Sequence, residues 1–176
     1  MSKMARTTRS CLHLWYVVYH SFFLKWIVMS LFSRIPFDKK LIESAIARFE
    51  QESSAELRVY IERNLPESEN LSCVDRALQI FMQLEMDKTQ AHNGVLIYIA
   101  HKSHKCAVIG DLGIHQFVGD NFWQQQCQLM ISYFKDDEYT QAVIAAIESI
   151  GKELAIHFPV KPDDKNELPN EVIING

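Results

Sequence analysis

Three oxygen-bearing side chains stand at the ends of β-rich runs in this sequence. Glu56 opens ELRVYIE, Asn93 precedes GVLIYIA, and Asp111 follows KCAVIG. Two carboxylates, an amide oxygen and the carbonyls of the adjoining loops are hard ligands, suited to calcium or magnesium rather than zinc. Asp136, Asp137 and Asp120, at helix ends, are the further candidates for the same cation, with His115 as a neighbour or outer-shell donor. Each residue also has a plainer reading. Glu56 reads as a strand-end acid, Asn93-Gly94 as a strand entry, Asp111 as a helix cap, and Asp136-Asp137 as acids answering a helix dipole. The EF-hand pattern is missing, as are a P-loop, a G-x-S-x-G elbow and a paired Cys-His pattern. The four cysteines, Cys11, Cys73, Cys106 and Cys127, form no C-x-x-C pair. Cys106 and Cys127 read as small buried hydrophobes in a reducing compartment.

The elements that must position these side chains follow from periodicity. FDKKLIESAIARFEQES repeats apolar residues at helical spacing through Phe37, Leu41, Ile42, Ala45, Ile46 and Phe49. ELRVYIE alternates, with Leu57, Val59 and Ile61 on one side and Glu56, Arg58 and Tyr60 on the other. LSCVDRALQIFMQLEM returns to helical spacing through Val74, Ala77, Leu78, Phe81 and Leu84, with Ser72 as its N-cap. GVLIYIA and KCAVIG are apolar strands joined by the short HKSHK connector, so they must run antiparallel. A glycine-punctuated segment, GDLGIHQFVGD, leads to two more helical stretches, the second stopped by Pro159. The first two strands, joined through a helix, are expected to be parallel by a right-handed crossover. The expected fold is therefore a three-layer α/β/α sandwich, its small mixed sheet made of a parallel pair plus an antiparallel hairpin. In that topology the start of strand one, the start of strand two and the end of strand three share one sheet edge. Glu56, Asn93 and Asp111 then converge there.

Three regions divide the chain: an apolar N-terminal segment (1–33), an α/β domain (34–158), and a polar, proline-containing tail (159–176) expected to be extended. Residues 11–32 have the length of a membrane span and follow three basic residues, but contain His13, His20 and Lys25. Three readings stand: a membrane anchor, an upstream artefact with translation starting at Met29, or a signal peptide. The protein is expected to be cytoplasmic with the Met29 start and membrane-associated otherwise. Net charge is −4, yet residues 1–28 carry four basic residues and no acid. The acidic body argues against a nucleic-acid surface, which needs clustered Lys and Arg, and is compatible with a cation partner.

The segments SSAELRVYIE, AHNGVLIYIAHKSHKCAVIGDLGIH and FKDDEYTQAVIAAIESIG resemble the TPM domain family, across roughly Ile35 to Phe158. The tail DDKNELPNEV resembles a short, stand-alone bacterial branch. The resemblance implies an α/β/α sandwich with a Rossmann-like look. Members include a thylakoid lumen protein with an acid phosphatase label, membrane-associated bacterial proteins, and proteins that bind calcium or related cations. The expected function is divalent-cation binding at the sheet edge in a regulatory or assembly role. The alternatives are a metal-assisted acid phosphatase, for which Arg58 is the only cationic help near Glu56, and a membrane-tethered interaction module resting on residues 11–32.

Overall fold

The computed structural model of the chain describes residues 35–66, 71–160, 162 and 165–175. The segment 11–32 and the Met29 start lie outside the described residues. Among the described residues no helix is long and apolar enough to cross a membrane. The chain divides after Pro36, and the unit from Phe37 onward is the one described below.

Helix α1 spans Lys39–Glu52 and starts at Asp38, whose side chain accepts the Leu41 N–H at 3.1 Å. That bond satisfies one of the orphan donors of the first turn. Strand β1 (Glu56–Glu62) follows, then helix α2 (Cys73–Gln83), a 3₁₀ turn at Met86–Lys88, strand β2 (Gly94–Ala100) and strand β3 (Lys105–Gly110). Ser72 and Asp75 cap α2 reciprocally, each side chain accepting the other's backbone N–H. Helix α3 covers Leu112–Phe134 and helix α4 covers Tyr139–His157. A last strand, β4 (Ile173–Asn175), closes the described chain.

The sheet order is β3-β2-β1-β4, with β1 parallel to β2 and β4, and β3 antiparallel to β2. This is the expected mixed sheet with one strand more. The tail, expected to be extended, returns to pair Ile173 with Tyr60 and Asn175 with Glu62. Its strand is only three residues long, too short for a period-two pattern to register. The order also makes β3 an edge strand.

Both sheet faces are covered. Tyr60, Leu96, Tyr98 and Ala107 pack with Ala77, Ile80 and Phe81 of α2 and with Met86. The alternate residues, Leu57, Val59, Ile61, Val95, Ile97 and Ile99, are buried on the opposite face, where α1 and α4 supply Ile42, Ile46, Ile147 and Ile150. Helix α1 packs on α4, and α3 packs on α4 and β3. A polar clamp sets the roll of α2: Arg76 grips both oxygens of buried Glu62, Nε at 3.2 Å and Nη2 at 3.1 Å, and Glu62 also accepts the Tyr98 hydroxyl. The clamp turns Ala77, Ile80 and Phe81 inward and leaves Val74 and Leu78 half exposed. Helical spacing alone assigned Val74 and Leu78 to the buried stripe; the sheet ends at β3 and does not cover them.

Helix α3 starts nine residues before the stretch that sequence periodicity marks as helical. It begins directly after Asp111 and is broken at Gly119, which sits at φ 69° and ψ 176°. Only glycine adopts that conformation without strain. The break separates the glycine-punctuated segment, which is itself helical, from the longer stretch that periodicity identifies.

Candidate cation site at the sheet edge

The fold gathers Glu56, Asn93 and Asp111 along the edge where β1 and β2 begin and β3 ends. Glu56 pairs with Gly94 across β1 and β2, and its N–H donates to the Asn93 carbonyl at 3.0 Å. The Asp111 N–H donates to the Gly94 carbonyl at 2.9 Å. The backbones therefore meet, but the three side chains do different work.

Asp111 is the N-cap of α3. One oxygen accepts the Leu112 N–H at 2.7 Å, and the other faces His92 Nδ1 at 3.1 Å. Carboxylate next to the positive end of the helix is favoured by the dipole as well as by the hydrogen bond. The cap is pressed close to the preceding loop. A Cβ on Gly113 would stand 2.5 Å from the carbonyl oxygens of both Ala91 and His92.

Asn93 is a buried bracket between strand entries. Its Nδ2 donates to the Ser54 carbonyl at 2.5 Å, and its N–H donates to Thr89 Oγ1 at 3.2 Å. Its Oδ1 is buried without a hydrogen-bond partner among the described residues. An unpaired buried acceptor costs about 1–3 kcal/mol, so its retention there calls for a reason.

Glu56 holds the tail. Its carboxylate accepts the N–H groups of Glu167 at 2.9 Å and Leu168 at 3.1 Å. Two further glutamates of α1, seven residues apart and hence on one face, do the same. Glu43 accepts the Val172 N–H at 3.2 Å. Glu50 accepts from the side-chain amides of Asn170 and Asn166, the latter at 3.3 Å. An ion pair from Lys39 to Glu171 at 2.7 Å completes the strap. The tail is thus fixed by body carboxylates that read mostly its main chain.

Glu50 is the electrostatic anomaly of this edge. Burial first, and then the charge of nearby Glu56, push its carboxyl from 4.5 up to about 7, against the opposing hydrogen bond from Asn170. Its second oxygen, Oε1, is buried and has no hydrogen-bond partner among the described residues. A carboxyl raised by burial and by a neighbouring carboxylate, with one oxygen orphaned, is a place where positive charge is favoured. A calcium or magnesium ion would find two carboxylates there, Glu50 and Glu56. Among the described residues no three His, Cys, Asp or Glu side chains stand close enough to hold a metal ion together. A cation at this edge would therefore draw on amide and backbone oxygens as well, which suits a hard ion with high coordination number.

Asp136 and Asp137 are not brought to this edge. They are exposed at the far end of α3, and Asp137, at φ 60°, lines a hollow with Ile99, His101 and His104 where β2 leaves the sheet. The body of α3 carries them to the opposite end. Asp120 is fully out in solvent, 3.8 Å from His115 Nε2. His115 Nδ1 accepts the Trp123 indole N–H at 3.3 Å, which places the ring proton on Nε2. Glu50, Asn166 and Asn170 escape a reading of the sequence. The one visible signal is the seven-residue spacing of Glu43 and Glu50 on α1, which sets both carboxylates on one face.

The TPM domain family matches residues 33–153. No curated protein matches the sequence. Among solved structures, the chain is similar to the NMR structure of BA42 protein from the psychrophilic bacterium Bizionia argentinensis. The two share 36% sequence identity and a TM-score of 0.71, over 78% of this chain and 92% of that one. With the strands, hairpin and Asp111 turn that carried the resemblance all falling inside the matched residues, the chain belongs to the TPM domain family.

Proposed function

We propose that this TPM domain binds a divalent cation, calcium or magnesium, at the sheet edge, and that the bound ion governs how the C-terminal tail is held. The observation that carries the reading is Glu50. Its carboxyl is pushed up to about 7 and one of its oxygens is buried unpaired, beside a second carboxylate. A cation on Glu50 and Glu56 relieves their repulsion and occupies the orphaned oxygen. Because Glu50 also accepts from Asn166 and Asn170, the ion and the tail meet at one side chain. That coupling suits a regulatory role better than turnover: the edge presents carboxylates that the tail already engages.

Calorimetric titration of the full chain with calcium chloride and with magnesium chloride tests the reading. Saturable binding is expected, lost in Glu50→Gln. The cation must displace the Glu50 proton, so apparent affinity is expected to weaken about tenfold per pH unit below 7. Binding that survives Glu50→Gln but disappears in Asp111→Asn would move the site to the α3 cap. Absence of binding in the wild-type chain would refute the proposal.

A further inference from the structure

Cysteines that are far apart in sequence meet at the β3 edge. Cys106 lies on β3, Cys127 on α3, and Cys73 opens α2. Trp123 lies over Gly110 so closely that a Cβ on Gly110 would stand 2.4 Å from the indole. One helical turn further on, Cys127 reaches the same strand. There its sulfur neighbours the Cys106 thiol and the Val108 backbone, all three lining one groove. Both cysteines are half-buried and both line a groove of about 530 Å³, between Val74 and Leu78 of α2 and Trp123 of α3. The groove gives a small oxidant access to the sulfurs.

The two thiols are chemically unequal. The neighbouring Cys106 thiol and Val108 backbone hold Cys127 below the ordinary thiol range, whereas Cys106 is held well above it by Cys127 and by desolvation. Burial pushes Cys73 up to about 11. A thiol of lowered pKa beside a partner that keeps its proton is the arrangement of an attacking and a resolving cysteine.

We propose that Cys127 and Cys106 form a peroxide-reactive thiol pair that closes to an intramolecular disulfide between α3 and the edge strand. In the first step the Cys127 thiolate attacks hydrogen peroxide. A sulfur–oxygen bond forms, the oxygen–oxygen bond breaks, and hydroxide leaves to take up a proton as water. The sulfur is oxidised to a sulfenic acid and the peroxide is reduced. In the second step the Cys106 sulfur attacks the Cys127 sulfur. The disulfide forms, the sulfur–oxygen bond breaks, and the departing hydroxide leaves as water with the Cys106 proton. Overall two thiols and one peroxide give one disulfide and two waters. The bridge ties the part of α3 beyond the Gly119 break to β3, and a dithiol reductant reverses it.

The test is stoichiometric hydrogen peroxide on the reduced full chain, read by thiol counting, intact mass and non-reducing peptide mapping. Titratable thiols are expected to fall from four to two, with loss of two hydrogens and a linked Cys106–Cys127 peptide. Cys73 is expected to react on the order of tenfold to a hundredfold more slowly, following its smaller thiolate fraction. In Cys106→Ser, dimedone is expected to trap a sulfenic acid at Cys127. In Cys127→Ser, no intramolecular disulfide is expected. A bridge through Cys73, or wild-type chain whose thiols are consumed without the Cys106–Cys127 peptide, would overturn the proposal. The wild-type mapping decides even where a variant misfolds.

Discussion

Glu50→Gln should make the protein more stable at neutral pH, an unusual outcome for removing a charge that accepts hydrogen bonds. The wild-type carboxyl titrates from 4.5 unfolded to about 7 folded. The folded state thus binds the Glu50 proton more tightly than the unfolded state does. The destabilisation is absent below pH 4.5, grows as pH rises toward 7, and is constant above that. At about 1.4 kcal/mol per pKa unit the full shift would be about 3–4 kcal/mol. Glu50 is only half-buried, so solvent screening reduces this to about 1–2 kcal/mol. Glutamine keeps an acceptor for the Asn170 amide and places an N–H donor beside Glu56.

Urea denaturation of wild type and Glu50→Gln, with chelator present, measures the difference directly. The variant is expected to gain about 1–2 kcal/mol at pH 8, roughly 3–6 °C in Tm for a domain of this size, and to match wild type near pH 4.5. Adding calcium should stabilise the wild type and leave the variant unmoved. Equal pH dependence in the two proteins would refute the assignment of a raised pKa to Glu50. A gain at pH 8 with no calcium response would keep the electrostatics and remove the cation.

Arg76→Ala leaves the buried Glu62 carboxylate without its bidentate partner and should cost about 3 kcal/mol in urea denaturation; a loss under 1 kcal/mol would show the clamp to be dispensable. Gly113→Ala drives a methyl into two backbone carbonyls and should cost about 1–3 kcal/mol, seen as a lower Tm. Asp111→Ala removes the α3 cap and should cost about 1 kcal/mol, with faster amide exchange confined to the first turn of α3.

The gathering of Glu56, Asn93 and Asp111 was legible because a few constraints force it. A helical crossover makes β1 and β2 parallel, and a hairpin too short to cross makes β3 antiparallel, so the ends that must meet are determined. The plain reading of Asp111 as a cap was legible for the same reason: an aspartate between a strand and a helix has orphan amides in front of it. Asp136 and Asp137 went astray through one glycine. Periodicity starts that helix only at Asn121 and leaves the course of the chain from Asp111 to it open. A stretch as long as Leu112–Phe134 spans up to about 34 Å and delivers those residues to the opposite edge. Nothing in the local sequence distinguishes Gly119 as a break within helix from a glycine in a loop.

The tail resisted reading for a different reason. Glu43 and Glu56 hold it through the main-chain N–H groups of Val172, Glu167 and Leu168, which every non-proline residue possesses. A segment recognised by its backbone needs little side-chain pattern, and so resembles a disordered tail in composition. The side chains that do matter are few: Val172 buried in the core, Leu168 packed against it, and Asn166 and Asn170 on Glu50. Glu56 and Glu43 are engaged by the fixed geometry of backbone amides, which titrate with nothing. Glu50 is engaged by side-chain amides and keeps one oxygen unpaired. With its carboxyl pushed up to about 7, Glu50 gains and loses its proton near neutral pH, so its hold on Asn166 and Asn170 is expected to change with pH there.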